Sequence, residues 1–175
     1  VHDAERLRER VTFIHEQTQS DALVEQYIEG REIYVGVMGN ERLTTFPVWE
    51  LNFGKLPDVQ AGIATRKVKW DRAYQRRHGI STGPASDLPE GAAARISVLA
   101  KRVYRALHMS GYARMDLRMR PDGSVFVLEA NANPNLTYGE DFAESGHIAA
   151  VSYEKLLNRI VQLGMNYRPE WRLFE

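Results

Sequence analysis

Hydrophobic and polar positions along the chain change period several times, and each change marks an element. Leu7, Val11 and Ile14 recur at helical spacing inside a charged stretch, which predicts a helix from Asp3 to Gln17. Ala22 to Ile28 is apolar enough for a strand, and Glu29-Gly30 reads as a turn. Ile33, Val35 and Val37 then alternate with Glu32, Tyr34 and Gly36, the period of a half-buried strand. Gly39-Asn40 suits a hairpin turn, with Arg42 to Trp49 as the return strand. Asn52 to Gly91 is irregular, punctuated by Gly54, Pro57, Gly62, Gly79, Gly83, Pro84 and Pro89, with a basic cluster from Arg66 to Arg77. So long a punctuated segment is either a functional loop or a solvated one. Helical period returns at Ala92 to Met109, where Ile96, Leu99, Val103 and Leu107 form the expected buried stripe and Gly111 suits the stop. Two strands follow, Tyr112 to Arg120 and Ser124 to Asn131, and a last helix spans Val151 to Leu163 with Leu156, Leu157, Ile160 and Val161 inward. The pattern describes an α+β chain, an antiparallel sheet flanked by helices, in a single domain over residues 1–175.

The two late strands carry the chemistry. Pro121-Asp122-Gly123 between alternating runs is a hairpin signal. With a two- or four-residue loop, Asp116 lies opposite Glu129 and Arg114 opposite Asn131; a three-residue loop would shift that register by one. Alternation puts Arg114, Asp116 and Arg118 on one face, with Val127, Glu129 and Asn131 pointing one way on the partner strand and Phe126, Leu128 and Ala130 the other. Directly opposed residues bring their Cβ atoms to about 4.5–5.5 Å. Two carboxylates about 5 Å apart repel by roughly 3 kcal/mol at an effective dielectric of about 20. Protonation of one, pairing with cations or a bound metal ion each removes that repulsion. Asp, Glu and Asn offer hard oxygens suited to magnesium or manganese, whereas Arg114 and Arg118 could instead neutralise the pair as a salt-bridge cluster. On the repulsion argument, Asp116→Asn or Glu129→Gln leaves folding intact.

Composition narrows the choices. A formal net charge of zero argues against a nucleic-acid partner. The absence of cysteine excludes a disulfide scaffold and a cysteine–zinc site and fits a cytoplasmic location. No apolar run approaches the roughly 18 residues of a membrane span. The five histidines show no ligand spacing and receive no role. Trp70 and Tyr27 read as packing residues.

Four segments together resemble the ATP-grasp superfamily, in its D-alanine–D-alanine ligase-like branch. They are Gly111-Tyr112-Ala113-Arg114-Met115-Asp116, then Leu128-Glu129-Ala130-Asn131-Ala132-Asn133-Pro134, with Val24-Glu25-Gln26-Tyr27-Ile28 before Gly30-Arg31-Glu32-Ile33, and Val68-Lys69-Trp70-Asp71. The resemblance covers about residues 22 to 140 and implies the C-terminal part of an ATP-grasp fold, with the N-terminal lobe and its Gly-rich loop absent from the chain. It implies an ATP- and Mg2+-dependent (or Mn2+-dependent) ligase joining a small-molecule carboxylate to an amine or other nucleophile through an acyl-phosphate, inactive as an isolated fragment. Asp116, Glu129 and Asn131 would hold the metal; Arg114 would steady the transferring phosphoryl group; Glu25, with backbone groups of Gln26 and Ile28, would meet adenine; Glu32 would take the ribose hydroxyls; and Lys69, with Lys67 as competitor, would contact phosphate. Relatives of this branch are often homodimers. Asn135 stands where D-alanine ligases carry glycine, which argues against D-alanine as the second substrate. The rival readings are a non-catalytic nucleotide- or metal-binding module and a metal-dependent hydrolase or nuclease, the last lacking a candidate base.

Overall fold

The computed structural model describes residue 1, residues 3–56 and residues 62–168. Pro57 lies outside the described residues. At the centre is a six-stranded antiparallel sheet: β1 (Arg31–Met38), β2 (Thr44–Thr45), β3 (Trp49–Asn52), β4 (Ser81–Pro84), β5 (Tyr112–Met119) and β6 (Val125–Asn131). The order is β4-β3-β1-β5-β6, with β2 also pairing with β1. The expected return strand is broken between β2 and β3, around Pro47, which has no N–H to give a ladder.

β1 has the predicted alternation, but every residue from Glu32 to Met38 is buried, because layers cover both faces. On one face Ile33, Val35 and Val37 join Ala113, Met115, Leu117 and Met119 against helix α4 (Ala92–Ala106). The helix presents Ala92, Ile96, Ala100 and Tyr104, an i, i+4 row. The expected stripe is therefore rotated: Ile96 is shared, Leu99 and Val103 are half-buried, and Leu107 is exposed beyond the helix end. Two alanines let the helix approach the sheet, and the Tyr104 hydroxyl crosses to donate to the Gly39 carbonyl at 2.8 Å.

The opposite face of the sheet carries Glu32, Tyr34 and Gly36 beside Arg118, Asp116 and Arg114, paired in that order. Two apolar clusters flank this polar strip. One joins Tyr34, Trp49, Leu51 and Ile80 to Val68, the buried residue of helix α2 (Arg66–Trp70), with Tyr74 of α3 (Arg72–His78) packed against it. The other joins Met38 and Phe46 to Phe142 and Ala143 of α5 (Asp141–Ile148) and Leu156 of α6 (Tyr153–Met165). Gly36 is small for this reason: a Cβ there would meet the Phe46 ring at 2.6 Å and the Phe142 ring at 3.0 Å. In α6, Leu156 is fully buried as expected, whereas Val161 turns out to solvent.

The irregular segment is therefore more ordered than its punctuation implies. Thr65 caps α2 by accepting from Val68 N–H, Asp71 caps α3 by accepting from Tyr74 N–H, and β4 forms the sheet edge. These helices have 5 and 7 residues, too short to show a period. The expected strand at Ala22 to Ile28 does not form. Leu23 and Val24 are exposed and only Ile28 is buried, so the segment has no ladder to join. Helix α1 (Ala4–Thr18) does form, capped by Asp3, but buries none of its residues. Among the described residues no helix is long and apolar enough to cross a membrane.

Candidate active site

The late hairpin closes differently from the expected loop. Arg120 N–H donates to Ser124 O and Gly123 N–H to Arg120 O, a three-residue loop with Gly123 at φ 80°. The register then starts one residue off, with Met119 opposite Val125 and Leu117 opposite Val127. A bulge between Asp116 and Leu117 takes up the difference, and beyond it Asp116 faces Glu129 and Arg114 faces Asn131. The pairing is thus the expected one, reached by a shifted turn and a compensating bulge. The faces of the near half are corrected: Val127 shares the side of Leu117, and Phe126 that of Arg118, with its ring 4.6 Å from the Arg120 guanidinium.

Arg114 lies along the strip and grips Asp116 with two bonds, Nε to Oδ1 at 2.8 Å and Nη2 to Oδ2 at 2.9 Å. Its guanidinium stacks over the Tyr34 ring at 4.5 Å, and Nη1 stands 3.8 Å from Asp141 Oδ2. Burial works to lower the Arg114 pKa, but the hydrogen bond and charge of Asp116 outweigh it and the pKa rises. Asp116 is 4% exposed, so it does not share an open patch with Glu129 as the spacing suggested. Glu129 is exposed and makes no ion pair among the described residues.

A cavity of about 730 Å³ opens over this strip. Glu129, Asn131 and Arg114 line it from β5 and β6; Lys69, Trp70 and Arg72 from the short helices; and Glu140 and Asp141 from the start of α5. Of the two competing lysines, Lys69 lines the cavity and Lys67 does not. Trp70 is 68% exposed at the rim, and Tyr27 is half-exposed with its hydroxyl directed at the Gly62 carbonyl, so neither is the packing residue that was expected.

The residues expected to meet the nucleoside are not gathered here. Glu25 and Gln26 are exposed, and Ile28 is buried; none lines the cavity. Glu32 is buried with both oxygens engaged, Oε1 by the Tyr34 hydroxyl at 2.8 Å and Oε2 by Arg118 Nη2 at 2.8 Å. Arg118 also donates to the carbonyls of Gly30 and Gly62. Burial first, then the charge of Glu32, pushes the Tyr34 hydroxyl far above the ordinary phenol range. Tyr34, Trp49, Glu140 and Asp141 were given no role by the sequence, and Arg72 was visible only as a member of the basic cluster. Of the first four, Tyr34 left a signal there, as the middle member of the alternating face of β1.

Among the described residues no three His, Cys, Asp or Glu side chains converge on one point. The donor set is two carboxylates and an amide, Asp116, Glu129 and Asn131, with Asn131 Oδ1 already accepting from Asn133 N–H at 2.9 Å. Such a set fits magnesium, which is commonly held by one or two carboxylates together with phosphate oxygens. It fits less well a metal held by protein alone.

The antiparallel sheet with its flanking helices has the ATP-grasp fold, which it shares with solved D-alanine--D-alanine ligases. The chain belongs to the family described as D-ala D-ala ligase C-terminus, which it matches over residues 1–162. It is 31% identical over 167 residues to the uncharacterized protein y4sG of Sinorhizobium fredii, covering 93% of this chain and 46% of that protein. It is 30% identical over 143 residues to D-alanine--D-alanine ligase A of Chromobacterium violaceum, covering 82% of this chain and 36% of that enzyme. The chain thus spans less than half the length of these relatives. Its fold is that of the D-alanine--D-alanine ligase of Bacillus anthracis solved with ATP, at a TM-score of 0.72 and 23% identity over 94% of this chain and 48% of that one.

Proposed function

We propose that this chain supplies the catalytic strip of an ATP- and magnesium-dependent ligase that joins a carboxylate to an amine through an acyl-phosphate. The observation that carries the reading is the pairing of Asp116 with Glu129 and of Arg114 with Asn131, where Arg114, Glu129 and Asn131 line one cavity and Asp116 lies buried beneath Arg114, in a chain of this family. Asp116, Glu129 and Asn131 would hold Mg2+, which when bound offsets charge on the phosphates of ATP. Arg114 presents a fixed cation where charge develops on the transferring phosphoryl group. Lys69 and Arg72 add positive charge from the short helices that line the cavity. Glu25, Gln26 and Ile28 would border the adenine, and Glu32 the ribose, once Glu32 exchanges its present partners for hydroxyls. The substrate carboxylate attacks the γ-phosphorus and ADP leaves; the amine then displaces phosphate. The chain's own groups bind, orient and neutralise, and no covalent nucleophile is needed.

The test is phosphate release by the full-length protein. It should require ATP, Mg2+ and a carboxylate, and rise further with an amine; ATP hydrolysis indifferent to both substrates would overturn the ligase reading. Mg–ADP at about 100 times its Kd should raise the unfolding free energy by about 2.7 kcal/mol. Glu129→Gln should erase the Mg2+-dependent part of that gain.

A further inference from the structure

Three elements hold Arg114. Asp116, two residues along the same strand, takes Nε and Nη2, and the Tyr34 ring of the neighbouring strand lies against the guanidinium. Both follow from the register of the sheet. The third is Asp141, the first residue of α5, whose Oδ2 faces Nη1 at 3.8 Å, a charge contact rather than a hydrogen bond. Asp141 comes from the helical layer, and a further strand orients it: the indole Nε1–H of buried Trp49 donates to Oδ1 at 3.1 Å and leaves Oδ2 turned to the arginine. Asp141 is itself only 20% exposed at the side chain, so the contact is weakly screened.

The division of labour between the two aspartates matters because Asp116 has two claimants. It is the carboxylate opposite Glu129, so a divalent cation drawn to that pair competes with Nε and Nη2 for the same two oxygens. Asp141 stands outside the pair, and its attraction for Nη1 persists. A guanidinium that lost Asp116 with no other anchor would be free to rotate about its long side chain, and an ångström of misplacement can cost about a hundredfold in rate.

We infer that Asp141, oriented by Trp49, is a positioning residue that keeps the Arg114 guanidinium in the cavity while Asp116 turns to a cation. The inference rests on the ligase reading for what Arg114 does, but not for how it is held. Two readouts separate them. In arginine-15N-labelled protein, assigned with Arg114→Lys, the two Nη signals of Arg114 should stay resolved on titration with Mg2+ alone. In Asp141→Asn they should merge on the same Mg2+ titration, as Asp116 turns to the cation and rotation becomes fast, and in Trp49→Phe, which leaves the carboxylate but removes its donor, exchange should quicken under Mg2+. Wild-type splitting in both variants at saturating Mg2+ would overturn the inference. In turnover, Asp141→Asn should lower kcat about tenfold with KM for ATP changed less than about twofold, part of what an ångström's displacement costs. Adding Trp49→Phe to it should lower kcat no further, since the indole acts through the carboxylate. Additive losses would overturn the chain of action from Trp49. If wild type releases no phosphate, the ligase reading falls, and the guanidinium signals still decide the role of Asp141.

Discussion

Asp116 and Glu129 face each other across two strands yet live in different surroundings, and that difference corrects the expectation drawn from repulsion. Asp116 is buried and its charge is met by both bonds from Arg114. Replacing it with Asn leaves a largely buried guanidinium short of a counter-charge, a change that commonly costs about 3–5 kcal/mol. Asp116→Asn should therefore lower the urea midpoint clearly, by about 3 kcal/mol in unfolding free energy. Glu129 is exposed without an ion pair, and Glu129→Gln should stay within about 0.5 kcal/mol of wild type. Equal stability of the two variants would contradict the ion pair that roofs Asp116. Both should lose metal-dependent turnover, so stability, not activity, tells them apart.

At the scale of elements, the hairpin β5–β6 is the decisive unit. Its turn is stitched by Asp122, whose Oδ1 accepts from the Ser124 hydroxyl at 2.6 Å and from Ser124 N–H at 2.8 Å. The hydroxyl bond first, then the backbone bond, holds the Asp122 pKa below its ordinary value of 3.8. A depressed carboxylate pKa adds stability above the ordinary value and loses it as pH falls through the depressed one. Ser124→Ala should move the Asp122 midpoint up toward 3.8, read by a carboxyl-carbon NMR titration. The Asp122-Gly123 signal located this turn correctly, but composition does not distinguish loop lengths that differ by one residue. Nor does it show the bulge between Asp116 and Leu117, beyond which Glu129 stands opposite Asp116.

Over the whole molecule, the layers on the two faces of the sheet bury two tyrosine hydroxyls, that of Tyr34 within β1 and that of Tyr104 reaching from α4 to Gly39. Tyr34 is raised by burial and by Glu32, and burial pushes Tyr104 up to about 12. For a raised pKa the stabilisation is complete below the unfolded value, near 10 for a phenol, and is lost as pH rises above it. Unfolding free energy should thus fall above about pH 10, and Tyr34→Phe should flatten part of that slope while costing about 1–2 kcal/mol at neutral pH, because Glu32 Oε1 loses its donor. Denaturant melts at several alkaline pH values check the slope; an unchanged slope in Tyr34→Phe would mean that the phenol ionises freely.

Local pattern sufficed for the alternation of β1 and β5 and the existence of α1, α4 and α6, because those features depend on period, whereas the meeting of Asp116 with Glu129 needed a bulge to offset the shifted turn. Longer reach decided the rest. The rotated face of α4 follows from which residues let it close on the sheet, and α2, α3 and α5 are too short to carry a period of their own. The failure of residues 22–28 to become a strand depends on partners that no local pattern reports. Arg114 could be named from its place on a strand. Asp116, two residues along, is a local partner, but that Tyr34 and Asp141 also flank it is a fact of three dimensions, since a neighbouring strand and a covering helix meet the arginine only when the sheet and its helical cover are assembled.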